Sequence, residues 1–157
     1  MRSVKGSLEA LEKERAVVAL YRYFAWCEAM SEHYLEVRHR DDVLRSQGRH
    51  DSLPYKESMR AEMYLCLWCA NLYTVIEGWR HIRLNVPEIK KLLRSPMTEI
   101  LREVRNAVYH AEPFDDSRLT SLVQTGQDGS DWIIKVTAAF RVFFDSIGVP
   151  ERNGRQQ

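Results

Sequence analysis

The chain has no apolar run long enough to cross a bilayer. Its longest, Met63 to Ile76, covers 14 residues, contains Asn71 and stops at Glu77, whereas a spanning helix needs about 20. The N-terminus, MRSVKGSLEALEKE, lacks the apolar stretch of a secretory signal, so a cytoplasmic protein is expected, with no membrane association. Cysteine is sparse and odd in number: Cys27, Cys66 and Cys69 imply no disulfide framework. Charge of one sign is not in excess. A formal net charge of +1 gives no global attraction for nucleic acid or membrane, so any anion binding must come from a local patch. Strand-like alternation, internal repeats and low-complexity tracts are missing too, which excludes a sheet or repeat architecture. Glycine and proline do not occur between Leu8 and Arg40.

What remains is helical pattern. At 157 residues, with 45% hydrophobic and 29% charged residues, the chain is expected to form one domain over residues 1–150, followed by a disordered tail over 151–157. Ser7 to about Arg40 reads as a long helix whose apolar side carries Leu8, Leu11, Val18, Tyr21, Ala25 and Trp26. Asp41 to Pro54 breaks the period and reads as a loop. Tyr55 to about Leu84 is a second helix, apolar nearly all the way round. That marks it as the central helix, with part of its surface expected to face a second subunit. Pro87 to Arg94 reads as a short extra helix, and Ser95 and Pro96 as the N-cap and first position of the next one. Phe114 to Ser130 reads as mostly loop, with a turn around Leu119 to Val123. A last helix over Asp131 to Ile147 buries Ile133, Val136, Phe140, Phe143, Phe144 and Ile147, and Gly148 and Pro150 close it. The expected fold is all-α: an up-and-down four-helix bundle with a short additional helix.

The most informative stretch is Leu101 to Pro113, LREVRNAVYHAEP. Met97, Ile100, Leu101, Val104 and Val108 form one apolar stripe. Pro113 stops the helix near His110 to Glu112, which places His110 in the last turn, where the negative dipole end favours an imidazolium. Asn106 lies four residues earlier on the same face as His110. Arg105 is five residues away, about 140° around the axis and roughly 7.5 Å along it, so a straight helix is not expected to aim Arg105 and His110 at one atom. Fraying of the last turn or a second copy related by two-fold symmetry would bring them together.

An Arg, an adjacent polar residue and a His five residues after the Arg, in the last turn of a helix behind a long apolar one, resemble the signature of the HEPN superfamily. As architecture the resemblance spans roughly Ser7 to Ile147; as residues it spans Leu101 to Pro113. It implies a helical bundle, usually a homodimer, that cleaves RNA without metal or other cofactor. A 2′-hydroxyl attacks the adjacent phosphate and leaves a 2′,3′-cyclic phosphate and a 5′-hydroxyl. It further implies His110 as general acid or base, Arg105 as phosphate clamp and Asn106 as the group orienting His110, with Glu77, Tyr109 and Arg102 in support. Such proteins are commonly toxins or antiviral defence effectors, some neutralised by an antitoxin that modifies a Tyr two residues after the His. This chain has Glu112 there and its Tyr at 109. The competing class is a non-catalytic module of the same kind that binds nucleotide or RNA, or pairs with other proteins. The acids Glu112, Asp115 and Asp116 favour it.

Other chemistries are weaker. Cys66-Leu-Trp-Cys69 has redox spacing without a βαβ context, so buried free thiols are expected. Glu36 and His39 have the spacing of di-iron helices, but no second such pair exists and no metal site is supported. Arg38, His39, Arg40, Arg45, Arg49, His50 and Lys56 are interleaved with acids and read as a solvated rim. The four tryptophans read as core. Glu77, at the end of the apolar run, reads as a buried carboxylate, structural or coupled to function.

Overall fold

The computed structural model describes residues 2–48, 53–110, 119, 122 and 128–148, with backbone alone at 2–8 and 128. Among them lie five helices: α1 (Arg2–Ser46), α2 (Tyr55–His81), α3 (Pro87–Leu92), α4 (Met97–His110) and α5 (Asp128–Ser146). No strand occurs among the described residues, so the chain is an all-α helical bundle. None of these helices is long and apolar enough to cross a membrane. The loop expected over Phe114 to Ser130 falls largely outside the described residues, as does the 151–157 tail. Leu119 and Leu122 are helical and buried.

The first helix differs from expectation in length and in face. It continues to Ser46, so Asp41 to Ser46 is helix rather than loop. Asp41 is buried and accepts a hydrogen bond of 2.9 Å from Arg45 Nε one turn on, which keeps the turn intact until Gly48 takes a positive φ of 75°. The buried side of α1 is Val17, Leu20, Phe24, Cys27, Ser31 and Tyr34, a 3-4 alternation that makes one continuous seam against α2. Leu11 and Trp26, expected inside, lie half exposed off that seam. Trp68, Trp79 and Trp132 are core, so one tryptophan of four breaks the expectation.

α2 packs against both α1 and α4 and carries the centre of the core, with Cys69, Ala70, Leu72, Val75 and Ile76 fully buried. Its glycine, Gly78, lets α1 come close: a Cβ there would lie 2.5 Å from Leu20 Cδ1. α2 ends in a Schellman turn, with Arg83 N–H donating to Arg80 O at 3.1 Å and Leu84 N–H to Trp79 O at 3.4 Å, around Arg83 at φ 56°. α5 completes the core through Ile133, Val136, Phe140 and Phe144, and Phe144 meets Phe24 and Tyr21 of α1. Phe143 is partly buried. Ile147, expected in the core, lies past the helix end and is exposed.

α4 is placed from its N-terminal end. Ser95 Oγ accepts the Met97 N–H at 3.3 Å, the cap expected from the Ser-Pro pair. The Leu92 and Leu93 carbonyls ahead of it accept hydrogen bonds from Trp132 Nε1 at 2.9 Å and Thr98 Oγ1 at 3.3 Å. Ile100, Leu101 and Val104 are buried and Met97 and Val108 partly so, which is the expected stripe.

Candidate functional site

With its apolar stripe inward, α4 lays Arg105 and Tyr109, one turn apart, along α2. Arg105 Nη2 donates to Glu77 Oε1 at 3.0 Å, and the guanidinium carbon stands 5.3 Å from the centre of the Tyr73 ring. Tyr109 Oη donates to Asn71 Oδ1 at 3.2 Å, while Asn71 Nδ2 donates to the Leu67 carbonyl within α2 at 2.9 Å. Pairs 77 with 105 and 71 with 109 show that the two helices run antiparallel in this stretch. Burial holds the Tyr109 hydroxyl above its ordinary pKa, with a further contribution from Tyr23, so it stays a donor.

Arg105 and His110 lie close together within one protomer. Arg105 Nη1 is 3.5 Å from His110 Nε2, and α4 is helical through His110, so neither a frayed turn nor a second copy is required. The angular estimate from the sequence treated side chains as radial spokes. Cα–Cβ bonds tilt toward a helix's N-terminus, so the His110 ring reaches back while the long arginine swings to meet it. Because a guanidinium only donates, the contact is a hydrogen bond when Nε2 is unprotonated and accepts, the form a general base needs.

Glu77 is also not what the sequence suggested. Its side chain is 57% exposed while Arg105 is 20% exposed, so the carboxylate sits at the rim and the guanidinium is the more enclosed partner. Arg105 Nε is buried with no hydrogen-bond partner among the described residues. Asn106 is half buried and makes no hydrogen bond to His110. Arg102 points elsewhere, its Nε donating to Glu99 Oε1 at 2.8 Å. The sequence therefore named Arg105, His110, Glu77 and Tyr109, which the fold brings together. It missed Tyr73 and Asn71, whose signal is their spacing: Tyr73 is one turn from Glu77 on α2, as Tyr109 is from Arg105 on α4.

The thiols form no second site. Cys27 and Cys69 are buried and Cys66 is half buried, and none of the three is in a disulfide. Burial pushes the Cys27 and Cys69 thiols up, away from the reactive thiolate. Comparison with protein-family models, with curated proteins and with solved structures found no match to this chain.

Proposed function

We propose that the chain is a metal-independent endoribonuclease of HEPN type, with Arg105 and His110 as its reacting pair. The contact of 3.5 Å between Arg105 Nη1 and His110 Nε2 supports this reading most directly. It puts a cation able to hold a phosphate beside an imidazole able to move a proton, off the apolar stripe of an amphipathic helix. In the reaction His110 Nε2 takes the proton of a 2′-hydroxyl, the freed oxygen attacks phosphorus, the bond to the 5′-oxygen breaks, and the protonated imidazole returns that proton to the leaving oxygen. Arg105 carries the charge that builds on the phosphorane oxygens. Its unpartnered Nε–H offers a further donor as the side chain turns to the phosphate. Glu77 holds the guanidinium until RNA arrives, and Asn106 lies on the face from which it could orient the ring. A homodimer would place two such pairs near each other, though proximity of Arg105 to His110 does not depend on one. A toxin or defence role, a cytoplasmic setting and control by an antitoxin follow from the resemblance.

A second reading draws on one observation: the charge of Arg105 is already balanced by Glu77 at 3.0 Å. A module that binds nucleotide or protein without cutting would be built the same way. Cleavage of a fluorescently labelled RNA by the wild type, His110→Ala and Arg105→Ala separates them. The nuclease reading expects products ending in 2′,3′-cyclic phosphate and a fall of at least about 100-fold for either variant, the size of effect typical of losing a proton-transfer group or an oxyanion donor. Intact RNA with the wild type, or equal cleavage by His110→Ala, assigns the chain to the binding class.

A further inference from the structure

On α1, Arg15, Arg22, Trp26, His33 and Arg40 are separated by 7, 4, 7 and 7 residues. At about 100° per residue these steps hold all five within about 40° of one line, over roughly 37 Å of helix. All five are exposed. α1 carries eight acids, Glu9, Glu12, Glu14, Glu28, Glu32, Glu36, Asp41 and Asp42, yet by the same geometry every one lies about 60° or more from that line. Among the described residues Arg15 and Arg22 pair with no carboxylate, whereas His33 and Arg40 sit 3.7 Å from Glu36 and Glu57. A helix of balanced charge thus presents a row of cations with an aromatic in its middle, and its first two cations, Arg15 and Arg22, carry no paired carboxylate among the described residues.

The row has aromatic company. Trp26 is 50% exposed and meets Tyr23 edge to face at 5.4 Å. Tyr23 in turn lies within electrostatic reach of Tyr109, the neighbour of His110. Farther along, His33 packs against Tyr64 of α2 at 5.1 Å with 32° between the rings. His33, Arg40, Arg60 and Tyr64 line an open depression of about 120 Å³ together with Glu36, Val37 and Glu57.

We infer that this face of α1 is a track for single-stranded RNA, in which Arg15, Arg22 and Arg40 hold phosphates and Trp26 with Tyr23 stacks bases, leading the strand past Tyr109 to the Arg105–His110 pair. Alternating cations and exposed rings are what a sequence-tolerant single-strand surface requires, since every base has a face to stack and every link a phosphate to neutralise. The choice of RNA rests on the nuclease reading of Arg105 and His110. The grip itself is tested apart from the cut.

The probe is a 5′-fluorescein 16-nucleotide oligouridine with every 2′-oxygen methylated, which cannot be cleaved by 2′-hydroxyl attack, titrated by anisotropy at several salt concentrations. Trp26→Ala should weaken binding about tenfold, within the range for losing one stacking ring. Arg15→Ala with Arg22→Ala should lower the slope of log affinity against log salt by about 1.4, two phosphates at about 0.7 each. All three positions are on the surface, and circular dichroism verifies that the helices persist. No binding by the wild type, unchanged affinity in both variants, or equal affinity for an RNA duplex overturns the inference. So does a change from dimer to monomer in Trp26→Ala with RNA affinity unaltered, which would make the row a contact with a second copy. If the probe binds as described while unmethylated RNA stays intact, the track stands and the nuclease reading falls.

Discussion

Replacing Gly78 by alanine tests whether the close approach of α1 and α2 is set by a missing methyl group. Two effects oppose each other. Within a helix, alanine is favoured over glycine by about 0.5–1 kcal/mol. Against this, the new Cβ would stand 2.5 Å from Leu20 Cδ1, more than about 1 Å inside the separation at which carbons rest. Leu20 is 5% exposed and belongs to the central cluster, so it cannot swing into solvent. Overpacking of this kind costs about 1–3 kcal/mol, so the net expectation is a loss of about 1 kcal/mol, or about 3 °C in Tm for a chain of this size. Leu20→Ala alone should cost about 2–5 kcal/mol. In the double variant the added methyl enters space the leucine has left, so the combined loss should fall short of the sum by at least about 1 kcal/mol. Urea unfolding of the four proteins at one concentration, with slopes compared, reads the cycle. A more stable Gly78→Ala protein, or costs that add within about 0.5 kcal/mol, would refute the packing argument.

Arg83→Gly should stabilise by about 1 kcal/mol, because Arg83 holds a φ of 56° at the turn after α2 and glycine carries no penalty there; thermal melting checks it. Stability should fall as pH rises above about 8.5, the ordinary thiol value. Cys27 and Cys69 are held above their usual values in the folded chain by burial, so their contribution is present below that pH and is lost as the unfolded thiols ionise first. The slope approaches about 2.7 kcal/mol per pH unit if both take part, and Cys27→Ala or Cys69→Ala should reduce it by about half. Arg105→Lys should lose RNA cleavage nearly as fully as Arg105→Ala, because an ammonium is one point charge and cannot span Glu77, His110 and the Tyr73 ring as the planar fork does. Retention of more than about a third of the wild-type rate would show that charge alone suffices.

The parts of this fold legible in the sequence are those specified locally. The α4 stripe, the Ser95 cap and the glycine stop after α5 each depend on a few neighbouring residues, and each is found where expected. Choosing the buried face of α1 required knowing its neighbour. Val17, Leu20, Phe24, Cys27, Ser31 and Tyr34 compete with Leu11, Val18, Tyr21 and Trp26 for the core, and the winning set includes a serine because Ser31 Oγ donates to the Glu28 carbonyl at 2.8 Å, satisfying itself within the helix. The candidate site was legible as a motif and misread as geometry. Axial angles alone separated Arg105 from His110, whereas Cβ tilt and side-chain length join them. Glu77 looked buried from the apolar residues before it, but its position faces the edge where α4 lies, so it meets Arg105 at the rim.

That pairing bears on how a chain of near-zero net charge would hold a polyanion. The positive charge of Arg105 is already balanced by Glu77 at 3.0 Å. An exposed ion pair of this type is worth about 1 kcal/mol or less. A phosphate can therefore displace Glu77 at small cost, but the exchange supplies little attraction over distance. Long-range capture must come from cations without such a counter-charge, and on the proposed reading Arg15 and Arg22 of α1 would supply them. On the proposed reading, grip and chemistry would reside on different helices, α1 for capture and α4 for cleavage. Salt should accordingly weaken binding steeply while leaving the rate of the bound, saturated complex nearly unchanged. If salt instead lowered the saturated rate and the affinity in equal proportion, a single electrostatic contact at Arg105 would have to serve both roles.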